Sequence, residues 1–181
     1  VENEVAFGPR NLGWDEVIVN EMVTKALEEV GLSKFRKTMP FMLGRGQMQR
    51  LAIASILSMD PRVLIIDEPT TGLDWRECIR VMEVVKRLNE NGRTIIMTTH
   101  NMNLVALYAK RVVVLRQGEK ILDGPTHEVF RETEILKTAY IKSPQIYRLL
   151  DEFPEINPDS YEIPHIADLI CEALKKGGDH E

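Results

Sequence analysis

The spacing of apolar residues along the chain predicts alternating helices and short strands. Apolar residues recur at helical spacing in residues 14–30, 75–91 and 101–109, and Gly31 and Gly92 follow two of these segments as stop signals. Short apolar runs at residues 63–66 and 94–99 are typical of strands buried in a parallel sheet. Further strands are predicted at residues 111–115 and 120–123, with Gln117-Gly118 as the turn. The pattern therefore favours an α/β fold.

Two predicted helices have apolar faces that can be named in advance. The face of the helix at residues 75–91 is predicted to consist of Cys78, Val81, Met82, Val85 and Leu88. In a second predicted helix, which ends near residue 59, one face is predicted to consist of Met48, Leu51, Ala52, Ser55 and Met59. From residue 126 onward, short amphipathic helices are predicted near residues 134–141, 144–152 and 163–176, with Pro154, Pro158 and Pro164 between or at their ends.

The apolar run at residues 63–66 ends in two carboxylates, Asp67 and Glu68, and then in Pro69. Proline ends a strand ladder because it cannot donate a hydrogen bond. The carboxyl ends of parallel strands are where open α/β sheets bind ligands. Carboxylates at the end of a buried strand are costly unless they are paired or bound to a metal. The pair therefore suggests a Mg²⁺ site together with a group that handles a water molecule. By itself, an Asp-Glu pair is more typical of a strand followed by a polar turn, and the longer motif of residues 63–74 is what favours the site.

His100 follows the next predicted strand. A single histidine is more often structural or exposed than functional. Because parallel strands end at the same edge of a sheet, His100 is predicted to lie near Asp67 and Glu68. This shared position favours a functional role.

Three segments of the chain resemble motifs of ATP-binding-cassette (ABC) ATPases. Residues 63–74 resemble the Walker B motif and the D-loop, and residues 43–50 resemble the LSGGQ-x-QR signature that precedes them. Residues 98–100, Thr-Thr-His, resemble the H-loop. The order and spacing of all three agree, and the clear resemblance covers about residues 1–130. Residues 1–9 are similar to the segment that follows the Q-loop in energy-coupling-factor and cobalt-type importers.

The resemblance implies a role for each motif residue. It implies that Asp67 holds Mg²⁺ through water. It also implies that Glu68 acts as general base or polarises the attacking water, and that His100 contacts the γ-phosphate of ATP and orients that water. It also implies a head-to-tail dimer, in which the signature and D-loop of one subunit meet the ATP of the other. The residues assigned to that contact are Gly44, Arg45, Gly46, Gln47 and Asp74.

The signature of this chain departs from the family pattern at two positions. Gly44 stands where Ser is usual, so a hydroxyl donor is lost. Arg45 stands where Gly is usual, and its charge either meets phosphate or obstructs it. The effect on turnover is left open by the sequence.

The implied fold class is a P-loop NTPase of the ABC ATPase type, with a parallel sheet, a helical subdomain and a mostly helical carboxyl-terminal extension. The ATPase domain is expected at residues 1–125, divided into a helical subdomain at about 1–60 and a Walker B to H-loop core at about 61–125, and the extension at 126–181. The 181 residues contain no G-x-x-x-x-G-K-[ST] sequence, and they begin without Met. We therefore expect that the chain is the carboxyl-terminal part of a longer ATPase, with the amino-terminal part of the domain missing.

Composition and net charge further narrow the possible partners and the cellular compartment. A net charge of −5 argues against a nucleic-acid surface, and two distant cysteines, Cys78 and Cys171, indicate a reducing compartment. No apolar run reaches the length of a membrane span. Any membrane association is expected to come through a partner, at the cytoplasmic face.

The function implied by the resemblance is the ATPase subunit of a membrane importer, with ATP and Mg²⁺ as cofactors and with transmembrane subunits and a second ATPase as partners. Cobalt, nickel and a vitamin are all compatible cargoes, and the second ATPase is either identical or a paralogue. Two alternatives stay open. One is a degenerate module that pairs with a complete ATPase and hydrolyses nothing, and the other is a soluble ABC protein outside transport.

Overall fold

The computed structural model describes residues 1–150, 152–153, 156 and 163–178, and the chain divides into two compact units. The first unit is Val1–His100 and the second is Asn101–Glu181. The domain division at residue 125 stays a prediction. The first unit contains α1 (Glu2–Asn11), α2 (Glu16–Glu29), α3 (Arg45–Leu57), β1 (Val63–Asp67), α4 (Trp75–Glu90) and β2 (Thr94–Thr98).

Helices α1, α2 and α3 pack on one another, as a helical subdomain requires. Helix α2 begins after Asp15, whose side chain accepts a hydrogen bond from the Val17 amide at 2.8 Å. Such a cap satisfies one of the free amides of a helix start. In the buried interior, the Ser58 hydroxyl donates to the Val5 carbonyl at 2.7 Å and so ties the end of α3 to α1. The helix predicted at residues 14–30 is confirmed, with the slightly shorter bounds Glu16–Glu29.

The two predicted helix faces had different outcomes. The predicted inward face of α4 is confirmed, because all five of its residues are buried. The predicted face of α3 is wrong, since Met48 and Ala52 are exposed and only Leu51 of the five is buried. The buried side of α3 instead consists of Gly46, Leu51, Ile53, Ala54 and Leu57.

Strands β1 and β2 form a two-stranded parallel sheet, in which Val63 pairs with Thr94 and Asp67 with Thr98. Both strands were predicted, but their burial was not as expected. Leu64 is buried, whereas Ile65 is 75% exposed and Ile96, its partner in register, is 50% exposed. Side chains alternate between the faces of a sheet. One face is therefore partly covered, with α4 packed against β2, and the other face is open.

The second unit combines a hairpin with short helices. Strands β3 (Arg111–Arg116) and β4 (Glu119–Pro125) are antiparallel, and they lie close to the predicted ranges. The short helix predicted near residues 134–141 is confirmed at Thr133–Thr138, whereas the helix at Thr126–Arg131 was not predicted. Pro154 and Pro158 lie outside the described residues. The elements are α5 (Met102–Tyr108), β3 (Arg111–Arg116), β4 (Glu119–Pro125), α6 (Thr126–Arg131), α7 (Thr133–Thr138), α8 (Gln145–Leu150) and α9 (Ile163–Gly178).

The core of the second unit lies beneath the hairpin. The rings of Phe130 in α6 and Tyr147 in α8 pack with their centroids 4.9 Å apart and their planes tilted by 46°. Val114 of β3 and Leu136 of α7 are buried in the same cluster. These contacts bring the hairpin and three of the short helices together. Within the described residues, no helix is long and apolar enough to cross a membrane.

Two basic side chains hold Asp123 on β4. The Arg111 guanidinium and the Lys120 ammonium each donate to one of its carboxylate oxygens at 2.8 Å. Arg111 first, and then Lys120, lower the pKa of Asp123 from 3.8 to about 2. The stabilisation from these contacts is present above the unfolded pKa of 3.8 and is lost as the pH falls through about 2.

We expect Asp123→Asn to flatten the pH dependence of stability between about pH 4 and pH 2. The measurement is thermal unfolding across this range. The control is Glu119→Gln, which removes a carboxylate from the same strand that has no ion-pair partner in the described part of the chain. Equal slopes for the wild type and Asp123→Asn would contradict the assignment.

Candidate functional site

Asp67 is the last residue of β1, and the parallel register sets it opposite Thr98. The Thr98 hydroxyl donates to Asp67 Oδ1. The residue is exposed, because it lies on the open face of the sheet together with Ile65. The sequence predicted carboxylates at the end of a buried strand. That prediction is wrong for Asp67, which is exposed. The carboxylate is held by a hydroxyl donor and stays accessible.

Glu68 lies at the point where the chain leaves the sheet. Its amide donates to the Thr98 carbonyl at 3.1 Å, and its φ is +47°. A side chain in this left-handed region costs on the order of 1–3 kcal/mol, and such strain concentrates at functional sites. The Thr71 hydroxyl donates to Glu68 Oε2 at 3.1 Å. The strained backbone and this hydroxyl together fix the direction of the carboxylate.

His100 is brought to the same sheet edge, as the order of the strands predicted. Its Nδ1 lies 2.8 Å from Glu68 Oε1. The imidazole is 79% exposed and the Glu68 side chain 35% exposed. An ionised carboxylate only accepts hydrogen bonds, so it favours the proton on Nδ1 and leaves Nε2 directed elsewhere. The pair can therefore hold a water or a polar ligand group at the carboxyl end of the sheet.

The signature-like residues form the start of α3. The Gly44 carbonyl accepts from the Met48 amide at 2.8 Å, and the Gly44 amide donates to Gln47 Oε1 at 2.9 Å. The Gln47 side chain therefore caps its own helix. Arg45 is exposed, and its Nη1 donates to the Gly72 carbonyl at 3.4 Å.

Asp74 has a clear local role. Its carboxylate accepts a hydrogen bond from the Glu77 amide at 2.9 Å and so caps the start of α4. Among the described residues, no hydrogen bond or ion pair joins residues 44–47 or Asp74 to Asp67, Glu68 or His100. The structure thus forms one cluster at the sheet edge and a second at the starts of α3 and α4.

The hydroxyls that hold the two carboxylates were not predicted from the sequence as site residues. Thr98 bonds Asp67 and Thr71 bonds Glu68. The position of Thr98 could have been predicted from the sequence, because a parallel pairing of the two apolar runs sets Thr98 beside Asp67. The signal for Thr71 was weaker, since only the turn after Pro69 brings its hydroxyl back.

Two family models match parts of the chain. A family model described as ABC transporter matches residues 2–71, and a model described as an AAA domain matches residues 40–106. The chain is 38% identical over 177 residues to the energy-coupling factor transporter ATP-binding protein EcfA1 of Clostridium perfringens, which covers 95% of this chain and 63% of that protein. The chain belongs to the ABC transporter ATP-binding family.

Two further relatives agree with this ABC assignment. The chain is 50% identical over 149 residues to a protein described as an ABC transporter ATP-binding protein of Caldanaerobacter subterraneus, over 82% of this chain and 26% of that protein. The solved structure of cbiO1 from Clostridium perfringens, described as part of the ABC transporter complex cbiONQ, superposes with a TM-score of 0.66 at 36% identity. That match covers 81% of this chain and 59% of the other.

The similarity confirms the predicted fold class, an ABC ATPase of the P-loop NTPase type. The chain spans between 26% and 63% of the length of the two curated relatives. Their names describe longer proteins, so the activity and the partners of a complete subunit are matters for a proposal.

Proposed function

We propose that this chain is part of the ATPase subunit of an energy-coupling-factor or cobalt-type ABC importer. The subunit would couple ATP hydrolysis to uptake of a metal ion such as cobalt or nickel, or of a vitamin. The observation that carries the proposal is the 2.8 Å contact between Glu68 and His100 at the carboxyl end of a parallel sheet. In this proposal, residues 1–125 belong to the ATPase domain and residues 126–181 to the extension.

Glu68 is the proposed general base for the attack of water on the γ-phosphate. The Thr71 hydroxyl and the left-handed backbone orient its carboxylate, and His100 contacts the other carboxylate oxygen. In this arrangement Glu68 accepts a proton from the water, while His100 orients that water and contacts the γ-phosphate. Phosphoryl transfer depends mainly on positioning and on charge stabilisation. Two fixed groups are consistent with that requirement.

Asp67 is the proposed ligand of Mg²⁺, through water. A Mg²⁺ ion is commonly bound by one or two carboxylates together with waters and substrate phosphates. The accessible Asp67 carboxylate, fixed by Thr98 at one oxygen, fits that pattern. In the described part of the chain, no group of three or more His, Cys, Asp and Glu side chains forms an all-protein metal site. When bound, the ion would neutralise charge on the β- and γ-phosphates.

The second cluster is proposed to act on the ATP of a partner ATPase. The amino terminus of α3, a position where anions are favoured, contains Gly44, Arg45, Gly46 and Gln47. In the described part of the chain, no hydrogen bond or ion pair joins this cluster to the sheet-edge cluster, which is consistent with two half-sites in a head-to-tail dimer. Asp74 would couple the half-sites from its position at the start of α4. The dimer would sit on the cytoplasmic face of the membrane, bound to transmembrane subunits.

The proposal is tested by phosphate release. The 181-residue chain by itself is expected to release no phosphate from ATP, because its sequence lacks the P-loop amides and lysine that grip the β- and γ-phosphates. The longer subunit that contains these residues is expected to hydrolyse ATP. Absence of turnover in the longer subunit would favour the degenerate, non-hydrolysing alternative.

A further inference from the structure

The carboxylate of Glu77, in the first turn of α4, lies directly against Gly46, in the first turn of α3. A Cβ atom added at Gly46 would lie 2.0 Å from Glu77 Oε2 and 2.8 Å from Glu77 Cδ. The three nearest atoms to that position all belong to Glu77. Gly46 is itself buried. The carboxylate therefore occupies the space that any side chain at residue 46 would need.

A second contact joins the same two segments. Arg45 precedes Gly46, and its Nη1 donates to the Gly72 carbonyl at 3.4 Å. Gly72 has a φ of +74°, a conformation that suits glycine and lets the turn expose this carbonyl. A Cβ atom at Gly72 would lie 3.4 Å from the same guanidinium nitrogen. The start of α3 thus contacts the turn that precedes α4 as well as the first turn of α4.

The surrounding charges favour this position of the Glu77 carboxylate. Arg80, one turn later on α4, pairs with Glu77 Oε1. The Arg50 guanidinium donates to the Gly46 carbonyl at 3.4 Å and to the Val30 carbonyl at 3.3 Å. Burial lowers the pKa of Arg50, and the charge of Glu77 opposes that effect. Glu77 Oε2 is buried without a hydrogen-bond partner among the described residues, so packing against Gly46 is what fixes this oxygen.

We infer that Arg45, Gly46, Gly72 and Glu77 form a clamp that joins the start of α3 to the turn before α4, with Glu77 as its positioning residue. The clamp holds the signature-like residues and Asp74 in one fixed arrangement. Displacement of one segment therefore displaces the other. The functional consequence rests on the proposed function, since both segments are proposed to meet the partner's ATP. The clamp itself is a property of this chain and can be tested without nucleotide.

The test is a double-mutant cycle on Gly46→Ala and Glu77→Ala, measured by thermal unfolding of the 181-residue chain. Gly46 lies inside a helix, where Ala is intrinsically preferred to Gly. In the presence of Glu77, we expect Gly46→Ala to lower Tm by about 2–6 °C, because the new methyl group displaces the carboxylate. In the Glu77→Ala background, the same substitution is expected to raise Tm by about 1–4 °C. The sign of the effect therefore reverses.

Two further variants separate the clamp from general destabilisation. Glu77→Gln keeps the shape of the side chain, so Gly46→Ala should still lower Tm in that background. Glu90→Ala removes an exposed carboxylate from the last turn of α4 and should leave the effect of Gly46→Ala unchanged. Additive effects of Gly46→Ala and Glu77→Ala would overturn the clamp.

The positioning role of Glu77 is tested by steady-state kinetics of ATP hydrolysis in the longer subunit. Glu77→Ala is expected to lower kcat by about 10-fold and to change KM for ATP by less than about 2-fold, the pattern of an interaction made in the transition state. Glu77→Gln is expected to restore most of the lost kcat, because it keeps the shape of the side chain. Unchanged kcat in Glu77→Ala would overturn the positioning role. Absence of turnover in the unmodified subunit would refute the proposed function, and the thermal cycle would still decide the clamp.

Discussion

Glu68→Gln in the longer ATPase subunit is expected to reduce ATP turnover by about 10²–10⁴-fold, the usual contribution of a positioned general base. Glutamine keeps the shape of the side chain and can still accept from Thr71, but it cannot take a proton from water at neutral pH. The strained backbone of residue 68 is retained, so the site geometry should persist. ATP binding should therefore stay within about 3-fold, since the change affects mainly the transition state. Phosphate release and equilibrium binding of ATP measure the two effects separately.

The matched control for Glu68→Gln is Glu90→Gln, the same substitution at an exposed residue of α4. It should leave turnover unchanged. His100→Ala provides an independent check, because it removes the group that contacts Glu68 Oε1 and keeps the carboxylate. Its turnover should also fall. Full turnover in Glu68→Gln would remove Glu68 from the role of base, whatever the result for His100→Ala.

The open face of the β1–β2 sheet is expected to make the 181-residue chain self-associate. Val63, Ile65 and Ile96 are 50%, 75% and 50% exposed on this face, and the sheet has only two strands among the described residues. Exposed apolar faces and unpaired strand edges promote association. Ile65→Thr combined with Ile96→Thr should weaken it by about 30-fold or more, because burying the two Ile side chains contributes on the order of 2–4 kcal/mol. Threonine is β-branched, so the strands themselves should persist.

The association is measured by light scattering during gel filtration over a range of concentrations. The control is Val113→Thr on β3, where an apolar strand residue is likewise 50% exposed but belongs to the second unit. It should change the association much less than the pair on β1 and β2. A wild-type chain that stays monomeric at all concentrations would show that the open face does not drive association.

The sequence by itself determined the order of the elements from α2 to β4 and the sheet-edge cluster, whereas α1 and α6 were not predicted. Strongly apolar runs at β1 and β2, each followed by polar residues, were enough to predict that Asp67, Glu68 and His100 lie at one edge of the sheet, because parallel strands end at the same edge. The predicted face of α4 was correct for a similar reason. Its apolar residues fall on one side of the helix, so only one orientation buries them.

Tertiary structure alone decided which side of α3 is buried. Apolar residues such as Met48, Ile53 and Ile56 lie around the whole helix, so several faces are equally apolar and spacing cannot choose among them. The choice is made by α1, α2 and α4, which pack against the side that carries Leu51 and Ala54. The same is true of the sheet, where Ile65 is as apolar as Leu64 and only the presence of a covering element decides which is buried.

The contacts of Arg45 and Glu77 also could not be predicted from the sequence. In the chain these residues appear as an altered signature and as an ordinary helix charge. Their contacts with Gly72 and Gly46 depend on how the starts of α3 and α4 approach each other in space. Periodicity determines which residues can share a face of one element, whereas the distance between two elements is set by the packing of all their neighbours.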